Sequence, residues 1–402
     1  MRLTVVVCVC DTEREYLENC LKSIRKSTLK DYELLVIDDG SSKDYTDIIS
    51  KYEPRYVKTE KRGTFASRLY AISIANGSYI TFVNSDDTVS FNYHMPMLEK
   101  AEVLDCDIVI NDWAFHTEKA RYFCVNDPLI CENVALKDDN VIKAYASSEG
   151  RLLSYTALWN KVIKRSILLK AKGELESTDA IMHSHVYSES YILSFFAFKN
   201  ARKVSNIHTG YYFYRVNESN NAMELDKDTL IKQINDMSIA FKIMLGSDAG
   251  KEIKESVQKW RELSSRVHYS CAKASKLTEL YEYIRDSYKV DKLQSTTKKD
   301  TEAYGKIQLL GDNFMDIDKA LRKIYFTESN VTVIYDKSDK YVDGTMKYIE
   351  RRKHDVTEND RKTLMVPKKL ISYKNRLLHN HFVYSMGMLL FKKGARAKLI
   401  LK

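Results

Sequence analysis

Tyr79-Ile80-Thr81-Phe82-Val83-Asn84-Ser85-Asp86-Asp87 is the stretch on which the reading of this chain turns. Five aromatic and β-branched residues run directly into two adjacent acids, the pattern of a buried strand whose C-terminal end stops at a pair of carboxylates. Asn, Ser and Asp are also ordinary turn residues, so this stretch alone leaves a plain turn open. A second stretch repeats the pattern: Glu33–Ile37 reads as a buried strand and ends at Asp38-Asp39-Gly40-Ser41-Ser42. In an open α/β sheet ligands sit beyond the carboxyl ends of the strands, so two acid-tipped strands predict one cleft holding both pairs. Adjacent acids there suit a hard divalent cation and the phosphates it carries.

Upstream, Leu3–Cys10 is a continuous apolar strand. Thr12 and Glu15 then form a capping-box pattern before a helix with Leu17, Cys20, Leu21 and Ile24 on one face. A short helix carries Tyr45, Ile48, Ile49 and Tyr52, Val57 starts a brief strand, and Thr64–Asn76 reads as a helix closed by Gly77. Strands alternating with helices imply a doubly wound, mostly parallel sheet.

Composition is that of a globular protein of two or three domains: 402 residues, 44% hydrophobic and 30% charged, with 4 Pro and 13 Gly. The 7 Cys are scattered without a CxxC pair, which argues against a disulfide framework or a zinc site and for a reducing compartment. No apolar run approaches the roughly 18 residues of a membrane span. Net charge is +9, yet residues 361–402 hold 11 Lys or Arg and no acid, which leaves residues 1–360 at −2. The basicity belongs to the tail, so nucleic-acid binding by the main body is not expected.

The runs VVVCVCDTEREYLENCLKSI, ELLVIDDGSSKD and GTFASRLYAISIANGSYITFVNSDD, followed in order by LWNKVIKRSIL, SESYILSFF and YYFYRVNES, resemble the family 2 glycosyltransferases over roughly residues 3–220. The resemblance implies a GT-A nucleotide-sugar domain that transfers a sugar from a nucleotide diphosphate donor, expected to be a UDP-sugar, with inversion at the anomeric carbon. By position, Asp39 would accept a hydrogen bond from the donor base, and Asp11, Arg68 and Arg215 would also face the donor. Asp86 would face the ribose or metal, and Asp87 would be the main ligand of Mn²⁺ or Mg²⁺. Glu189 is the nearest candidate for the base that takes the acceptor hydroxyl's proton, with Asp179 the next acid to consider. Trp159 would either stack on the acceptor sugar or pack the core.

The chain departs from the family pattern at several places. Asn84-Ser85-Asp86-Asp87 stands for the usual Asp-Ser-Asp-Asp, which removes a charge from the metal side. Glu189-Ser190 replaces Glu-Asp, and Cys8-Val9-Cys10-Asp11 replaces Pro-x-Tyr-Asn. These departures keep a rival open: a catalytically weak or inactive nucleotide-sugar-binding scaffold in a glycan assembly complex. His183 and His185 precede Glu189 and read as a solvated loop.

The division expected is a GT-A domain over 1–225, a mainly helical region over 226–360 and a basic tail over 361–402. Ile253, Val257, Trp260, Leu263, Val267 and Cys271 recur at helical spacing, as do Leu277, Leu280, Tyr281, Ile284 and Tyr288, while Val331–Tyr335 fits a strand or a helix. In the tail, Leu370 to Leu389 show helical spacing among cations. That predicts a basic amphipathic helix drawn to anionic lipid, or docked on the slightly acidic body. The implied setting is polysaccharide or glycolipid synthesis (capsule or cell wall), in the cytoplasm at the inner face of the membrane, with a glycan or lipid-linked acceptor.

Overall fold

Leu3–Val9 (β1) is the strand from which the sheet is built, and its register places the acids. In the computed structural model, which describes residues 1–111, 113–116, 121–124, 136–150, 153–178, 187–207, 209–215, 226–296, 332–336, 388–392 and 395–401, β1 lies between two parallel neighbours. Tyr32–Asp39 (β2) is on one side and Tyr79–Asn84 (β4) on the other, with Val9 opposite Asp38 and Cys8 opposite Asn84. Arg55–Thr59 (β3) extends the sheet beyond β2, also parallel. The crossovers are helices Arg14–Arg25 (α1), Thr46–Tyr52 (α2) and Thr64–Ile74 (α3). The order β3-β2-β1-β4 means that the winding reverses at β1. A crevice at the carboxyl ends of β1, β2 and β4 follows from that reversal.

Two expectations about helix ends are corrected. The N-cap of α1 is Glu13, with no side-chain cap bond; the Thr12 hydroxyl instead meets Ser85 Oγ at 2.6 Å, across the crevice. Helix α3 stops at Ile74, ahead of an extended Ala75. Gly77 is therefore no helix cap. A Cβ on it would lie 2.4 Å from the Thr4 nitrogen, so the glycine permits close backbone approach to β1.

Beyond β4 come Thr88–Val89 (β5), helix His94–Val103 (α4), Ile108–Ile110 (β6), Trp113–His116 (β7), Arg121–Cys124 (β8) and Leu136–Lys137 (β9). Helices Asp139–Ser147 (α5) and Leu153–Thr156 (α6), strand Lys161–Lys164 (β10) and helices Arg165–Glu176 (α7) and Glu189–Asn200 (α8) follow. Strands Lys203–Asn206 (β11) and Tyr212–Arg215 (β12) come next. The main sheet continues from β4 through β10, β6, β11 and β9, with β10 antiparallel to both its neighbours. A second sheet contains β5, β12, β7 and β8 and sets β12 beside the end of β4.

Helices Lys227–Gly246 (α9), Lys251–Ala274 (α10) and Leu280–Tyr288 (α11) confirm the helical reading there. Asp226 caps α9 by accepting from the Thr229 amide at 2.9 Å. Trp260 is fully buried and meets Tyr145 of α5, Tyr191 of α8 and Phe241 of α9 edge-on, so these helices share one core with the sheet's covering helices.

Thr332–Asp336 (β13) resolves the strand-or-helix alternative as a strand. Met388–Lys392 (β14) and Ala395–Leu401 (β15) pair antiparallel with each other, and β15 pairs parallel with β13. This overturns the helical expectation at Leu389. The alternation of small and basic residues in Ala395-Arg396-Ala397-Lys398 has the two-residue period of a strand, and sheet partners satisfy it. Most of the tail, and also Asp179, His183 and His185, lie outside the described residues.

Candidate active site

The end of β2 is pinned before any ligand is considered. Asp38 accepts from the Ser41 amide at 2.8 Å and from the Tyr56 hydroxyl. Asp39 accepts from the Arg62 amide at 2.8 Å and the Gly63 amide at 2.9 Å, one on each oxygen. Gly40 turns the chain at φ +69, where a Cβ would lie 2.7 Å from the Lys61 nitrogen. Asp11 sits at φ +50, a left-handed conformation uncommon outside glycine. One of its oxygens gathers the Ser42 amide (2.7 Å), the Ser42 hydroxyl (2.8 Å) and the Lys43 amide (3.2 Å). Those bonds, the Ser42 hydroxyl first, hold its carboxyl below the ordinary range. Asp11 and Asp39 thus shape the loops of residues 40–43 and 61–63. Each Asp39 oxygen keeps a further lone pair, so a bond from a base N–H remains open to it. Next to this loop, Glu13, Arg14, Glu15, Tyr16, Lys43 and Asp44 line an open cavity of about 640 Å³.

The end of β4 divides the labour between its two acids. Asp87 is almost fully buried and accepts from Tyr212 Oη at 2.6 Å, the Arg215 amide at 2.6 Å and Asn84 Nδ2 at 2.9 Å. Both of its oxygens are engaged. Burial pushes its carboxyl well above the usual range, the Asp86 charge adds to this, and the three donors oppose it. Asp86 is the open acid: among the described residues no side chain donates to its carboxylate. Burial raises it, and Arg215 pulls the other way. Arg215 Nε donates to the Asp86 carbonyl at 3.0 Å, and its guanidinium lies 4.0 Å from the Tyr16 ring centroid. Tyr16 also lines the cavity, which brings Arg215 to the cavity's edge.

Asn84 explains its own departure from the acid expected there. Its Oδ1 accepts from Arg68 Nη2 at 2.9 Å while its Nδ2 donates to Asp87. An amide can accept from a guanidinium and donate to a carboxylate at once, whereas an ionised Asp has no donor for the second. Arg68, 6% exposed, continues the chain to Glu189 with Nη1 to Oε1 at 2.5 Å. Burial raises the Glu189 carboxyl, Arg68 lowers it, and Asp236 raises it again.

The structure therefore brings Asp11, Asp39, Arg68, Asp86, Asp87, Glu189 and Arg215 to one edge of the sheet. Trp159 does not join them. It is 6% exposed, stacked on Tyr212 at 4.5 Å and Tyr214 at 5.6 Å, and edge-on to Trp113. That places it in the aromatic core and not on an acceptor surface. Sequence reasoning missed Tyr212, Tyr16 and Asp236. The tyrosine-rich run at 211–214 hinted at the first; nothing local marks the others.

The reversal point of the α/β sheet thus sets Asp86 and the Tyr16-stacked Arg215 at the carboxyl ends of its strands. Residues 4–123 match the family model of glycosyl transferase family 2. EpsH of Bacillus subtilis, a glycosyltransferase by assignment, is 30% identical over 228 residues, covering 54% of this chain and 61% of its own length. The glycosyltransferase GlyA of Streptococcus pneumoniae is 24% identical over 333 residues, covering 80% of this chain and 45% of its own length. The chain thus spans about half the length of these relatives. The solved structure of S. aureus TarS 1-349 in complex with UDP-GlcNAc aligns with a TM-score of 0.48 at 15% identity, over 72% of this chain and 92% of that one.

Proposed function

We propose that the chain is an inverting, metal-dependent glycosyltransferase. It moves a sugar from a nucleotide diphosphate donor, expected to be a UDP-sugar, to a glycan or lipid-linked acceptor in bacterial surface-glycan synthesis. The observation that carries this reading is the open Asp86 carboxylate beside the Tyr16-stacked Arg215, next to the loop held by Asp11 and Asp39. Arg215 supplies a fixed cation for the diphosphate, and the loops of residues 40–43 and 61–63 bound the base.

Among the described residues no cluster of three or more His, Cys, Asp or Glu forms a metal cage. The residues fit the other common mode, in which Mg²⁺ or Mn²⁺ takes one carboxylate and completes its shell with substrate phosphates and water. Asp86, rather than Asp87, would hold it, because the Asp87 oxygens are already engaged. When bound, the ion neutralises the charge of the diphosphate leaving group. Glu189 would take the acceptor's proton.

Calorimetric titration with a panel of nucleotide sugars, with and without Mn²⁺, tests the donor half. Glu189→Gln tests the transfer half: donor binding should persist while transfer falls by roughly 10² to 10⁴. One observation favours the scaffold reading instead, namely that Glu189 is closed in an ion pair with Arg68, with side chains 8% (Arg68) and 12% (Glu189) exposed. Donor binding by wild type without transfer to any acceptor, water included, would decide for the scaffold.

The basic tail extends the proposal to an anionic membrane surface. No described helix is long and apolar enough to cross a membrane. Replacing Lys368, Lys369, Lys374 and Arg376 with Gln should weaken binding to anionic vesicles at least about tenfold, at roughly 1 kcal/mol per well-placed cation. Binding that is unchanged, or insensitive to salt, would exclude that surface.

A further inference from the structure

Helix α9 carries no motif, yet one of its acids reaches the site. Asp236 is 8% exposed, and its Oδ2 accepts from the Tyr187 amide at 2.8 Å. Tyr187 and Ser188 lead into α8, whose first residue is Glu189 and whose N-cap makes no side-chain cap bond. The carboxylate of α9 thus holds the backbone at the point where Glu189 is presented. Glu189 Oε1 is committed to Arg68, and Oε2 is buried without a hydrogen-bond partner among the described residues.

We propose that Asp236 is a positioning residue for the transfer step, fixing through the Tyr187 amide the Tyr187–Glu189 junction from which the Glu189 carboxylate is presented. This rests on the transferase reading above. In that step Oε2 takes the proton of the acceptor hydroxyl while the hydroxyl oxygen bonds to the anomeric carbon. The sugar–diphosphate bond breaks, and its electron pair leaves on the diphosphate.

An arginine in contact weakens a carboxylate as a base, since it stabilises the charged form. The charge of Asp236 acts in the other direction and raises the Glu189 carboxyl. The groups facing Glu189 are Arg68 from α3, Asp236 from α9 and the Cys8 thiol from β1. Burial pushes that thiol up to about 12, so it is neutral and the balance lies between one cation and one anion.

The test is Asp236→Asn, which keeps an oxygen for the Tyr187 amide and removes the charge. The Glu189 carboxylate band is isolated by infrared difference against Glu189→Gln, both with and without the Asp236→Asn substitution. Its titration should move to lower pH in Asp236→Asn. The acidic limb of kcat/KM should move the same way, and kcat should fall roughly three- to tenfold, a part of what a positioned base contributes. Donor affinity should be unchanged, and Asp236→Glu should restore the titration. An unmoved Glu189 titration, or a loss confined to melting temperature, overturns the proposal. If wild type transfers nothing, the transferase reading fails. The infrared titration, which needs no turnover, still decides whether Asp236 acts on Glu189.

Discussion

Replacing Asn84 with Asp installs the acid that the sequence resemblance leads one to expect at the end of β4, and the structure predicts that this is harmful. The Asn84 amide donates to Asp87 at 2.9 Å and accepts from Arg68 at 2.9 Å. A carboxylate in its place keeps the bond from Arg68 and loses the one to Asp87, leaving two carboxylates in contact. Two unit charges about 4 Å apart repel by about 4 kcal/mol at an effective dielectric of about 20. The bond from Arg68 becomes charge-assisted and returns roughly 1 to 1.5 kcal/mol. A net loss of about 2.5 to 3 kcal/mol lowers Tm by roughly 3 to 4 °C, at about 2.1 cal/mol/K of unfolding entropy per residue over the 402 residues.

The pH dependence has a definite sign. Beside Asp87, the introduced carboxyl binds its proton more tightly folded than unfolded, so the penalty vanishes below the ordinary carboxylate range and grows as pH rises. Thermal melts of wild type and Asn84→Asp from about pH 4 to 8 should therefore diverge toward neutral pH. Parallel curves, or equal Tm at the alkaline end, would refute the relay from Arg68 through Asn84 to Asp87.

The two acids of β4 should separate experimentally. Asp86→Ala should abolish Mn²⁺-dependent nucleotide diphosphate binding with little change in Tm. Asp87→Ala should lower stability by roughly 3 to 5 kcal/mol in denaturant titration, because it strands buried donors of Tyr212, Asn84 and Arg215. His94 offers a stability probe away from the site. It is fully buried, with both ring nitrogens lacking a hydrogen-bond partner among the described residues, and burial lowers its pKa to about 3. The unfolded chain takes up this proton first, so stability falls as pH drops from about 6.5 toward 3. His94→Phe should flatten that limb in acid denaturation monitored by circular dichroism, and an unchanged limb would show that carboxylates alone set it.

Local sequence is enough for the parallel strands, the acids at their ends and the amphipathic helices α10 and α11. Each of these is written in a period of two or of three to four residues, and burial of the apolar face enforces that period. What it left open was settled by contacts between residues far apart in the chain. Asp86 and Asp87 are adjacent and chemically identical, yet Tyr212 and Arg215, brought by the second sheet, engage only the side chain of Asp87. Arg68 and Glu189 meet across 121 positions, and Asp236 reaches Tyr187 across 49. The Thr12 hydroxyl, legible as a helix cap, is drawn instead to Ser85 because β1 and β4 are neighbours in the sheet. A polar side chain's role depends on which partner desolvates or neutralises it. That partner is chosen by packing, which no local period records.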